Sequence, residues 1–111
     1  MKLSGQATLL QIFMGESDRI DGKVAYEQIV LEARRLNLAG ATVTRGLMGF
    51  GAHSRLHTAK ILRLSEDLPI VIAIVDTPEK IQLLMPYLDQ HVDEGLITME
   101  HVEVVRYTAG K

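Results

Sequence analysis

The chain contains no cysteine, and that single absence removes disulfides, thiolate catalysis and cysteine metal ligands together. The fold must therefore be held by packing. An excess of one charge sign is also missing: Lys and Arg number 12 against 14 Asp and Glu, for a formal net charge of −2. No global positive field draws nucleic acid or an anionic membrane to the molecule, and any anion site has to be made by local charge. No apolar run approaches the roughly 20 residues of a membrane-spanning helix. Ala7 to Met14 is the one candidate for a targeting segment, but it is short, is interrupted by Gln11 and runs into Gly-Glu-Ser-Asp instead of small cleavage-site residues. The expectation is a soluble, cytoplasmic protein with no membrane span and no nucleic-acid partner. No Ser-His-Asp order, metal-hydrolase motif or P-loop rises above chance, so no enzyme activity is expected.

What is present suits a single domain over residues 1–111, large enough to bury a core. Hydrophobic residues make up 47% and charged residues 23%, a globular balance. Thr8 to Met14 is a β-prone run with apolar side chains on both faces of a strand. Asp21 stands where an N-cap belongs, and Tyr26, Ile29, Val30, Ala33 and Leu36 form one apolar stripe, predicting a helix over about Gly22 to Leu36. Asn37 suits a left-handed C-terminal turn, with Leu38 folding back on the helix as in a Schellman motif.

Ala41 to Met48 reads as a second strand, and Ile61 to Leu64 begins a third. The connection from Gly49 to Lys60 is far longer than the two to five residues a hairpin needs. Its stretch Ala52 to Ala59 has one large apolar residue, Leu56, and is expected to be the most mobile internal segment. Ile70 to Val75, six apolar residues between turn formers, is the strongest buried-strand signal. Thr77 is placed to cap a second helix with Pro78 at its first position. Ile81, Leu84, Met85, Leu88 and Val92 make that helix's apolar stripe, and Pro86 in its interior should kink it or cost about 3 kcal/mol. Gly95 ends the helix, and Leu96 to Tyr107 supplies the last strand.

The order β, α, β, β, α, β is the ferredoxin-like α+β arrangement, a four-stranded antiparallel sheet with two helices on one face. Two helices cover one side only, yet the first and third strands are apolar on both. A homo-oligomer, expected to be a trimer, follows from that second face.

The segment Gly40-Ala41-Thr42-Val43-Thr44-Arg45-Gly46-Leu47-Met48-Gly49-Phe50-Gly51 is similar to the strand-two and loop-base segment of the PII nitrogen-regulatory signalling proteins. Gly15-Glu16-Ser17-Asp18-Arg19, Gly40-Ala41-Thr42-Val43, Arg45-Gly46, Gly49-Phe50-Gly51 and Ser65-Glu66-Asp67-Leu68-Pro69 more closely resemble an uncharacterised PII-like family, domain of unknown function 190. The resemblance runs along nearly the whole chain, and its motifs are specific in combination. It implies a ferredoxin-like subunit in a PII-like trimer, with adenine nucleotide in clefts between subunits and a flexible loop that engages a partner. By motif, the ligand positions carried over are Gly40, Thr42, Gly49, Phe50 and Gly51. PII proteins also have a glycine-rich phosphate-contacting segment before the second helix. This chain has only Asp76-Thr77-Pro78 there, so a phosphate site must be built from other residues.

Candidates for that role are Arg45, Arg55 and Lys60, cations in or beside the long connection, and Ser17 and Arg19 with Lys23 at the entry to the first helix. The competing structural reading makes Ser17, Asp18 and Asp21 caps of that turn, and the basic residues solvated surface charge. His53 and His57, four apart, would chelate a divalent metal if their segment were helical; His91 and His101 read as surface or interface residues. Asp76 follows an apolar strand, where catalytic carboxylates often sit, but a capping role suits it better with Thr77 and Pro78 behind it.

The sequence thus favours a ligand-sensing regulator that binds a small anion, an adenine nucleotide above all, at inter-subunit clefts and contacts a protein partner through residues 50–60. No cofactor is assigned. The alternatives are a divalent-metal-binding trimer of the cation-tolerance type and a non-catalytic oligomeric scaffold.

Overall fold

The computed structural model describes residues 2–51 and 67–109. Its elements run β1 (Lys2–Gly15), β2 (Arg19–Ile20), β3 (Lys23–Val24), α1 (Ala25–Arg35), β4 (Thr42–Arg45), β5 (Pro69–Asp76), α2 (Pro78–His91) and β6 (Leu96–Thr108). Four of the strands form one antiparallel sheet in the order β4-β5-β1-β6, the ferredoxin-like arrangement. The small β2–β3 ladder stands apart from it.

Strand periodicity sets the core. In β5 the residues Ile70, Ile72, Ile74 and Asp76 are buried, while Val71, Ala73 and Val75 between them are half-buried. Leu10, Ile12 and Met14 of β1 join the isoleucines beneath Ala25, Ile29 and Ala33 of α1 and Ile81, Leu84 and Leu88 of α2. Each fully buried Leu or Ile contributes about 1.5–3 kcal/mol of transfer free energy. The register puts Leu9, Gln11 and Phe13 of β1 opposite Val75, Ala73 and Val71 of β5, on the face away from the helices. β1 and β6 continue together past the end of β5 as a two-stranded ribbon. The Tyr107 hydroxyl in this ribbon donates to the Ala39 carbonyl at 2.6 Å.

Several expectations change in detail, and β1 starts at Lys2, six residues before the Thr8 expected from the sequence. The first helix begins at Ala25, three residues later than the periodicity suggested, and Val24 occupies its N-cap position without a side-chain cap. Asp21 is not a cap. With φ of 50° at Asp21 and 78° at Gly22, the pair forms the two-residue turn of the β2–β3 hairpin, a geometry that needs two left-handed residues and favours Asp-Gly. The Asp18 carbonyl instead accepts from Ala25 N at 2.9 Å. β4 ends at Arg45, so Gly46 to Met48 leave the strand. α2 ends at His91, four residues before Gly95, with Val92 as its extended C-cap; the end of α1 and the start of α2 match the sequence. Asn37 is left-handed at φ 62°, and Leu38 N and Asn37 N donate to the Ala33 and Arg34 carbonyls, which is the Schellman pattern. Thr77 Oγ1 accepts from Lys80 N at 3.3 Å to cap α2. That helix runs through Pro86 without breaking, with Pro86 on its exposed side. Ile61 to Leu64 and Ala52 to Ala59 lie outside the described residues.

Candidate functional site

Three strand ends meet at one end of the sheet. Gly15 at the end of β1 pairs with Pro69 at the start of β5, and Arg45 at the end of β4 pairs with Ile70. The turn Gly15 to Arg19 folds over this junction and binds both neighbours. Glu16 N donates to the Leu68 carbonyl at 2.9 Å. Ser17 donates to Asp67 Oδ1 twice, from its backbone N at 3.0 Å and from Oγ at 2.7 Å. Arg45 Nη1 donates to Glu16 Oε2 at 2.9 Å, and Gly46 N donates to the Pro69 carbonyl at 2.7 Å.

The junction is tight enough to exclude side chains at two of its glycines. A Cβ on Gly15 would overlap the Asp67 carboxylate, and one on Gly46 would stand 2.8 Å from Pro69 Cγ. The motifs Gly15 to Arg19, Arg45-Gly46, Gly49 and Asp67 to Pro69 are therefore one assembly. Beyond it Leu47, Met48 and Phe50, which follow Arg45 in the chain, are exposed at 87%, 69% and 72% of their surface.

The ten site residues expected from the sequence divide accordingly. Ser17 binds Asp67, Gly49 stands against Pro69, and Arg45 pairs with Glu16 at the same junction; Phe50 and Gly51 follow directly and are exposed. Thr42 pairs with Ala73, three register positions along β4 from Arg45, and Gly40 precedes it with open space around its Cα. Arg19 turns back on its own loop, donating from Nη1 to the Ser17 and Asp18 carbonyls at 3.0 and 3.1 Å. Arg55 and Lys60 lie outside the described residues, as do His53 and His57. Among the described residues no cluster of three or more His, Asp or Glu side chains is placed to hold a metal ion.

Glu16 and Asp67 were not among the expected site residues. Both stand in the quoted motifs, but the pairing of Ser17 with Asp67 spans 50 residues of sequence, and no local pattern in one chain reports such a contact. A cleft of about 230 Å³ also escaped the sequence, on the helix side of the same turn. Asp18, Arg19, His91, Asp93 and Glu94 line it above Met14, Ile20, Ala25 and Val92. His91 packs against Tyr87 with ring centroids 4.4 Å apart and planes tilted by 42°, and burial, followed by the negative charges of Glu32 and Asp21, pushes the Tyr87 phenol up from its ordinary pKa. Asp76 is fully buried, with its carboxylate accepting from Ala39 N at 2.8 Å and Thr77 N at 2.7 Å. It fixes two turns.

Comparison with known proteins agrees with this architecture. The chain is 36% identical over 97 residues to a UPF0166 protein of Aquifex aeolicus, covering 87% of this chain and 91% of that one. A UPF0166 protein of Methanocaldococcus jannaschii is 32% identical over 102 residues, covering 91% and 94%. Among solved structures, a PII-like protein of Thermus thermophilus superposes with a TM-score of 0.64 at 18% identity, covering 91% of each chain. CPII of Thiomonas intermedia, bound to ADP and bicarbonate, gives a TM-score of 0.59 at 18% identity, covering 94% of this chain and 91% of that one. CutA of Synechococcus elongatus gives 0.59 at 10% identity, covering 96% and 85%. These structural likenesses show a shared fold. The DUF190 family model, described as Uncharacterized ACR, matches residues 7–104, and with relatives above 30% identity along most of its length the chain belongs to that family.

Proposed function

We propose that the protein is a cytoplasmic, non-catalytic PII-like regulator that binds a small anionic ligand, an adenine nucleotide, beside the junction of β1, β4 and β5. The observation that carries this reading is the meeting of the separate motifs at the strand junction where Arg45 pairs with Glu16. Its side chain is 59% exposed and, among the described residues, contacts Glu16 through one nitrogen, with further donors directed at no described partner. Gly46 and Gly49 keep the backbone next to it low, and Phe50 offers an exposed ring for a base. The likeness in fold to CPII, which binds ADP, supports nucleotide over other anions. The half-covered sheet face supports a trimer, which would bring a second subunit up to this junction. Residues 50–60, whose part beyond Gly51 lies outside the described residues, are the proposed contact for a protein partner.

Calorimetry with AMP, ADP and ATP on the wild type and Arg45→Ala tests the reading. Micromolar or tighter binding is expected for at least one nucleotide. Arg45→Ala should weaken it by about 1.5–3 kcal/mol, as befits a charge-assisted hydrogen bond. Absence of heat with all three, or equal affinity in both proteins, removes the site.

A further inference from the structure

Glu16 stands in a singular position: its side chain holds one neighbouring strand and its backbone holds the other. The carboxylate accepts from Arg45 at the end of β4 at 2.9 Å, while the backbone N–H donates to the Leu68 carbonyl just before β5 at 2.9 Å. Ser17, the next residue, doubles the second tie through Asp67. The tie to β5 is thus made of three hydrogen bonds, two of them from the backbone. The tie to β4 is one ion pair whose side chains are 59% and 26% exposed.

We infer that Glu16 is a built-in competitor for the Arg45 guanidinium, and that an anion arriving there displaces its carboxylate. The inference rests on the reading of Arg45 as an anion-binding residue. The exchange loosens β4 from the Gly15–Arg19 turn and leaves the turn attached to β5, so occupancy of Arg45 is converted into a change in how β4 is held. Energetic scale favours the exchange. An exposed ion pair of this kind contributes a factor of about five at most. A phosphate group brings more charge than one carboxylate and meets the guanidinium fork through two parallel hydrogen bonds, whereas Glu16 meets it through one nitrogen. Glu16 also keeps Arg45 neutralised when no anion is present, which discourages weak anions from occupying the site.

The test measures affinity for ADP and for inorganic pyrophosphate in the wild type, Glu16→Gln and Glu16→Ala. It also follows the carboxyl carbon resonance of Glu16 through the wild-type titration. Both variants should bind two- to fivefold more tightly than the wild type, and the Glu16 resonance should move as the site fills. Equal affinity in all three proteins, or weaker binding by the variants, overturns the competitor and leaves Glu16 as a simple support for Arg45. Tighter binding of pyrophosphate by the variants with no response to ADP upholds the competitor and removes nucleotide as the ligand. If neither anion binds any of the proteins, both this inference and the anion site fall.

Discussion

Asp76 holds two turns with a single side chain. Its carboxylate is fully buried and satisfies Ala39 N and Thr77 N together, tying the end of α1's following turn to the start of α2. Removing it leaves two backbone donors in need of partners, so Asp76→Ala should cost about 2–4 kcal/mol in a urea titration. Asp76→Asn, which keeps one acceptor, should cost less. The role was legible in the sequence only in part. Thr77 and Pro78 behind Asp76 advertised a cap for α2, whereas the bond to Ala39, 37 residues away, had no local sign. The same holds for Asp67, whose left-handed φ of 47° and two bonds from Ser17 follow from long-range packing.

Among the elements, α2 was read most closely from its sequence, because cap, first-turn proline and apolar stripe all point to the same helix. Pro86 is its one internal conflict. It removes an intrahelical hydrogen bond and crowds the carbonyl four residues back, yet tertiary packing of Ile81, Leu84 and Leu88 carries the helix through it. Pro86→Ala should therefore raise stability by roughly 1–3 kcal/mol, read as an upward shift of the urea midpoint at unchanged slope. The start of α1 was misread for a physical reason. Asp-Gly is both a plausible helix entry and the favoured pair for a two-residue hairpin turn, and the two-residue strands it joins are too short to show alternation.

On the scale of the whole molecule, the sheet face away from the helices is only half-buried among the described residues. Leu9, Phe13, Val71 and Val75 share it by register, on the side that α1 and α2 leave open. The alternation of β1 and β5 already announced this face in the sequence; which strands neighbour one another required the sheet. Sedimentation at micromolar concentration should show an oligomer, a trimer by the proposed reading. Val71→Lys should yield a folded monomer with helical content intact, since the substitution lies opposite the core. A wild-type monomer at these concentrations would remove the reason for placing ligands between subunits.

The meeting of the motifs at the junction where Arg45 pairs with Glu16 gives the account its functional claim, and a thermal-shift series on the full chain with AMP, ADP, ATP, zinc and copper tests that claim most directly. A ligand of the folded state at a hundredfold excess over its Kd contributes about 2.7 kcal/mol. At least one nucleotide should accordingly raise the melting temperature by roughly 10–12 °C in the wild type and by much less in Arg45→Ala. A melting temperature unmoved by every nucleotide and raised by zinc or copper alone would rule out Arg45 as a nucleotide site.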